Sequence, residues 1–179
     1  VPDGSAARRV RRLVVEQGAR SGVVVGSWPE LMDWARRAYL VSIPDGQFED
    51  RFRTALAALT DAFWSESLEV ALVETGQAVL SALTEVLSAT DPFGDIATVE
   101  IERLPERPRR HFADLRRLVL TLGRCLPDEL VVIRDLLAAD SGVVLQTLRV
   151  LHVEGVPALS RWQAAVVERL NRDAPAEAG

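Results

Sequence analysis

The stretch that decides the predicted fold reads GVVVGSWPELMDWARRA over residues 22–38. Three consecutive valines between two glycines are typical of a short buried strand. Ser27 and Glu30 have capping-box spacing, and the proline between them suits a first helical turn. The sequence therefore predicts a strand at about residues 23–25 that leads directly into an amphipathic helix.

The end of the chain has the same order of strand and helix. The segment 148–153 has the alternation of a strand, and a turn separates it from the capping-box pair Ser160 and Gln163. Two strand–helix units that lie far apart in the sequence are typical of a parallel sheet. We therefore predict an α/β fold in which both strands share one parallel sheet.

The middle of the chain has a different pattern. Apolar residues recur every three or four positions from Phe48 onwards, and the pattern continues from Leu68 to Leu87 for about six turns. A predominantly helical insertion is expected here, because strand signals are scarce. The predicted domain organisation is a core of residues 1–44 and 146–172, a helical insertion subdomain of residues 45–145, and a polar tail of residues 173–179.

Composition excludes several classes of chemistry. All 21 basic residues are arginines, so no lysine can form a Schiff base or hold phosphates in a P-loop. Cys125 is the single cysteine, which excludes an internal disulfide and points to a reducing, cytoplasmic compartment. The two histidines, His111 and His152, lack metal-ligand spacing, so no metal site is predicted. The apolar runs fall short of the roughly 18 residues of a membrane span, and no membrane partner is expected.

Short segments at both ends of the chain resemble a known family. The segment PDGSAA at residues 2–7, followed by an arginine-bearing helix, resembles the second conserved motif of superfamily 1 DNA helicases of the UvrD and RecB type. The segment GSWPEL at residues 26–31 resembles the part of that family which contacts single-stranded DNA. The stretch from Leu151 to Leu170 looks like the Walker B strand and the glutamine-bearing helix after it. The resemblance implies a partial parallel sheet of the P-loop NTPase type.

The residues that hydrolyse nucleotide in this family are missing. Glu154 and Gly155 stand where the Walker B aspartate and glutamate belong, and no P-loop lysine exists. Those groups position phosphates, magnesium and water, so we expect no ATPase or helicase activity and no cofactor. The pattern is similar to the inactivated helicase-like regions of AddB and RecC type proteins, which are associated with PD-(D/E)XK nucleases. The resemblance implies a scaffold in a DNA repair or recombination nuclease system, with a nuclease or helicase subunit or domain as partner.

The resemblance also implies a site for single-stranded DNA near the start of the chain. Its candidate residues are Ser5, Arg8, Arg9, Arg12, Ser27 and Trp28. Guanidinium groups match phosphate oxygens, and a tryptophan can stack on a base. The same residues also suit a solvated helix face and a helix entry. The net charge of −5 favours a second hypothesis, a helical protein-interaction or regulatory module that does not bind DNA.

Salt-dependent binding of single-stranded DNA separates these two hypotheses. If the arginines contact phosphates, the affinity for a labelled oligonucleotide falls steeply as salt rises, because each contact releases counterions. Fluorescence anisotropy over a series of salt concentrations measures this slope. An absence of binding at low salt contradicts the DNA-guide hypothesis and favours the interaction module.

Overall fold

The computed structural model describes residues 4–16, 18, 24–90, 96, 100–123, 125–140, 148, 150 and 159–174. Eight α-helices contain 71% of these residues, and the same residues include no β-strand. The helices are, in chain order, α1 (Gly4–Glu16), α2 (Trp28–Ala38), α3 (Phe48–Ala58), α4 (Ser65–Val70), α5 (Leu72–Ala89), α6 (Glu106–Leu122), α7 (Asp128–Ala138) and α8 (Arg161–Asp173).

The predicted α/β fold with a parallel sheet is wrong. Val24 and Val25 form neither strand nor helix, and the side chain of Val24 is 80% exposed instead of buried. In the second predicted strand, Leu148 and Val150 are also irregular, and residues 151–153 lie outside the described part of the chain. A strand needs a neighbouring strand for its backbone hydrogen bonds, and the described residues supply none.

Side chains satisfy the backbone of both segments instead. The guanidinium group of Arg11 donates two hydrogen bonds to the carbonyl oxygen of Val25, at 2.6 and 3.1 Å. The side-chain amide of Asn171 bonds both backbone groups of Val150: its oxygen accepts from the N–H at 2.7 Å, and its nitrogen donates to the carbonyl at 3.1 Å. Side chains on two helices therefore make the backbone hydrogen bonds that the prediction assigned to a neighbouring strand.

The chain divides into two compact units. The first comprises Val1–Ser42, Asp135–Leu159 and Val166–Gly179, and the second comprises Ile43–Arg134 and Ser160–Ala165. Helices α7 and α8 therefore contribute residues to both units.

The second unit contains α3 to α6 around an apolar core. Phe52 on α3, Leu83 on α5 and Leu118 on α6 are buried, and α3 packs against α6. Gly76 on α5 faces Leu56 on α3, and a Cβ atom at this position would lie 3.8 Å from the Cδ2 atom of Leu56, at ordinary van der Waals distance. The helical periodicity of these segments therefore corresponds to real buried faces, as expected for amphipathic helices.

A partly buried polar cluster joins three helix ends in the first unit. The Tyr39 hydroxyl donates to Oδ2 of Asp173 at 2.7 Å, and Nε of Arg169 donates to the same oxygen at 2.7 Å. The remaining guanidinium nitrogens of Arg169 donate to the carbonyls of Leu137 and Ala139, at 3.0 and 2.7 Å. Asp173, assigned to the polar tail from sequence, is thus the last residue of α8, and its side chain is only 10% exposed. The cluster holds the ends of α2, α7 and α8 together.

Titration of the single tyrosine tests this cluster directly. Burial, together with the hydrogen bond to Asp173, raises the pKa of Tyr39 to about 12. We expect tyrosinate absorbance to appear with a midpoint near this value in the folded chain and near pH 10 in urea. The unfolded chain deprotonates first, so the free energy of unfolding should decline as the pH rises between these values. Asp173→Asn should lower the tyrosine midpoint of the folded chain. If the parent chain is helical by circular dichroism but its tyrosine titrates near pH 10, the cluster is contradicted.

Candidate functional site

A sharp break separates α4 from α5. Ala71, between the two helices, has φ −142° and ψ 72°, which lies outside the helical region. Its N–H still donates to the carbonyl oxygen of Ser67 at 2.9 Å, and the hydroxyl of Thr75 donates to that carbonyl at 3.1 Å. Two donors on one carbonyl hold the bend, and we call residues 66–74 the α4–α5 elbow.

The elbow exposes a cluster of apolar side chains. Val70, Leu72 and Val73 are 88%, 67% and 63% exposed. The apolar periodicity placed Leu72 on the same face as Leu83, which is fully buried. Both residues do share a face of α5, but Leu72 is the first residue of the helix and the core does not cover it. Single exposed apolar residues are ordinary on protein surfaces, whereas three within four positions are typical of a contact site.

Exposed carboxylates flank this apolar cluster along the two helices. Glu66, Glu69 and Glu74 are exposed, and two of them lie in the first turns of α4 and α5, where the helix dipole favours negative charge. No arginine occurs between Arg53 and Arg103 in the sequence, so nothing basic in this long segment neutralises them. The elbow is therefore an apolar centre with an acidic rim.

The buried carboxylate of Asp114, on α6, holds the chain that leads into the elbow. The backbone N–H of Phe63 donates to its Oδ2 at 3.0 Å, and Arg117 donates to its Oδ1 at 3.0 Å. Arg117 also donates to Oδ1 of Asp61 at 2.6 Å, which lowers the pKa of Asp61, while both carboxylates raise the pKa of Arg117. Trp64, the residue before α4, is fully buried. The start of α4 is thus anchored to α6.

The structure places the predicted DNA-binding residues in two segments. Arg8, Arg9 and Arg12 are exposed on α1, whereas the side chain of Ser5 lies outside the described part. Ser27 and Trp28 are half-buried at the start of α2. The N–H and hydroxyl of Ser27 donate to Oε2 of Glu30 at 2.6 and 2.9 Å, which lowers the pKa of Glu30, so Ser27 is engaged in the predicted capping box. Binding of DNA by these residues stays a prediction.

The degenerate Walker B positions, Glu154 and Gly155, lie outside the described residues. Within the part of the chain that the structure describes, no three histidine, cysteine or acidic side chains are arranged to hold a metal ion. His111 instead stacks on the ring of Phe63, with centroids 3.7 Å apart. Cys125 lines a shallow cleft of about 280 Å³ near Phe48. None of the eight described helices combines the length and hydropathy needed to cross a bilayer.

Sequence reasoning missed the elbow, although two signals for it exist. The run Val70-Ala71-Leu72-Val73 has four consecutive apolar residues, which is more than one face of an amphipathic helix can bury. The carboxylates around this run have no arginine nearby in the sequence. Together, the two signals indicate an exposed apolar surface with acidic surroundings.

Comparison with known proteins gives no match: no family model, no curated protein and no solved structure is similar to this chain.

Removal of the Asp114 carboxylate tests how the elbow is anchored. Asp114→Ala should lower the free energy of unfolding by about 2–3 kcal/mol, because it leaves the Phe63 N–H and one side of Arg117 without a buried partner. The matched control is Asp61→Ala, which removes only the exposed partner of Arg117 and should cost clearly less than Asp114→Ala, because solvent screens an exposed pair. Urea denaturation measures both. Equal losses in the two variants contradict the anchoring role.

Proposed function

We propose that this chain is a helical protein-interaction module whose binding surface is the α4–α5 elbow. The observation that carries the proposal is the exposure of Val70, Leu72 and Val73 at one fixed bend. Protein interfaces commonly combine an apolar centre, which supplies the free energy of binding, with a charged rim, which selects the partner. The three rim glutamates complete this arrangement.

The most shielded charged groups favour a structural role over a catalytic one. Asp114 accepts hydrogen bonds from Phe63 and Arg117, and Arg169 donates to Asp173 and to two backbone carbonyls. Catalytic acids and bases keep a lone pair or a proton available to a substrate. Here the buried donors and acceptors are used to hold helices together.

The proposal develops the second hypothesis from the sequence, a helical protein-interaction or regulatory module, and it needs no helicase-like sheet. The parallel sheet on which the helicase resemblance depended is absent from the described residues. A nuclease or helicase partner and a role in DNA repair therefore stay predictions. The exposed Arg8, Arg9 and Arg12 keep DNA binding open to the salt-dependence experiment.

The rim defines the chemistry of the partner. Three carboxylates around an apolar centre repel acidic segments and attract segments that carry arginine or lysine beside apolar residues. An amphipathic helix presents such a pattern, with its apolar residues spaced three and four positions apart. We therefore expect the elbow to bind a basic amphipathic helix.

A designed peptide pair tests this function. The basic probe is a labelled helix of about 18 residues with leucines at positions i, i+3, i+4 and i+7 and arginines between them; the acidic probe has glutamates instead. The basic probe should bind, and the acidic probe should not. Val70→Ser combined with Val73→Ser should weaken binding about tenfold or more, since exposed apolar contacts are lost without disturbing the core.

The matched control is Leu120→Ser, which removes an exposed apolar side chain from α6 and should leave binding unchanged. Fluorescence anisotropy gives the affinities. Equal binding of both probes, or undiminished binding by the double variant, contradicts the proposal.

A further inference from the structure

We propose that the α4–α5 elbow of one chain binds helix α1 of a second copy of the same chain. The inference rests on the proposed function and names the partner that the elbow binds.

Helix α1 has the complementary pattern. Arg8, Arg12 and Val15 stand at positions i, i+4 and i+7, so they share one face of the helix, and all three are exposed. Val15 is 73% exposed. The helix thus presents guanidinium groups next to an apolar side chain, which is the chemistry expected of a partner for the elbow.

Arg11, at the edge of this face, anchors the helix through its bond to Val25. The carbonyl oxygen of Val25 accepts both guanidinium hydrogen bonds, which fixes α1 relative to the segment before α2. A helix held in this way loses less conformational freedom on binding than an unattached segment. Its 13 residues extend for about 20 Å. The helix is therefore long enough for its arginines to lie over one helix of the elbow while Val15 lies over the other.

Charge selects the pairing. Residues 54–102 contain no arginine, whereas residues 8–12 contain four. Two elbows placed face to face would oppose their carboxylates, and two α1 helices would oppose their guanidinium groups. Attraction arises only when α1 of one copy meets the elbow of another. The contact therefore joins two different surfaces, and it either closes through a reciprocal second contact or extends from copy to copy.

The strength of the contact follows from its size. One short helix against one bend buries less than a standard interface, so the association should be weak and concentration-dependent. Its carboxylate–guanidinium pairs lie at the surface, and salt should weaken them. A monomer in dilute solution and a larger species in concentrated solution are both expected.

Charge reversal of each surface tests the inference on the whole chain. Sedimentation velocity over about two decades of protein concentration should show a rising average mass, and roughly 500 mM salt should abolish the rise. The two variants are Arg8→Glu with Arg12→Glu on α1 and Glu69→Arg with Glu74→Arg on the elbow. Each should be monomeric alone, and an equal mixture should associate again, because each supplies the intact surface that the other lacks.

The matched control is Arg107→Glu with Arg109→Glu, which reverses two exposed arginines on α6 and should leave self-association unchanged. Circular dichroism checks that every variant keeps its helices. A monomeric parent chain at all concentrations overturns the inference, as does a mixture that does not associate or a control that dissociates. A monomeric chain that still binds the basic probe overturns self-association alone, whereas one that binds no probe overturns the proposed function as well.

Discussion

The carboxylate of Asp114 is the constraint on which the elbow depends. A buried charge is costly unless its oxygens are bonded, and the Phe63 N–H and Arg117 supply those bonds at 3.0 Å each. The same two bonds tie the turn before α4 to α6. With Trp64 buried beside that turn, α4 begins at a fixed place and direction. The exposed apolar cluster that follows is therefore held in position by a polar interaction beneath it.

Arginine makes this mode of stabilisation possible throughout the chain. A planar guanidinium group donates to several acceptors at once, which a lysine ammonium group does less readily in a fixed geometry. Arg117 joins Asp61 to Asp114, Arg169 joins Asp173 to the end of α7, and Arg11 holds the carbonyl of Val25. In each case the arginine links segments that are distant in sequence, and in two of them it bonds backbone groups directly. The arginines of this chain therefore stabilise the fold in addition to providing surface charge.

The separation of charge along the sequence connects the fold with the proposed function. The acidic segment from residue 54 to 102 contains the elbow, and the basic cluster of residues 8–12 lies on α1. Because Arg117 on α6 pairs with both Asp61 and Asp114, the rim glutamates remain as the charge of the exposed surface. Electrostatics of this kind chiefly determines which partner approaches and how fast, while the apolar centre supplies the free energy of binding.

Local signals in the sequence determined the helices, and tertiary contacts decided the rest. The Ser27–Glu30 capping box and the apolar periodicity around Phe52 and Leu118 require only residues a few positions apart, so they predicted α2, α3 and α6. The conformation of the valine tract could not be predicted from its neighbours in sequence, because a strand exists only when a distant strand pairs with it. Here the side chain of Arg11 bonds its backbone instead. The exposure of Leu72 was not encoded locally either, because Leu72 and Leu83 share a face of α5 and only packing against other segments buries one and leaves the other exposed. Contacts between residues far apart in sequence made both decisions, and no periodicity encodes them.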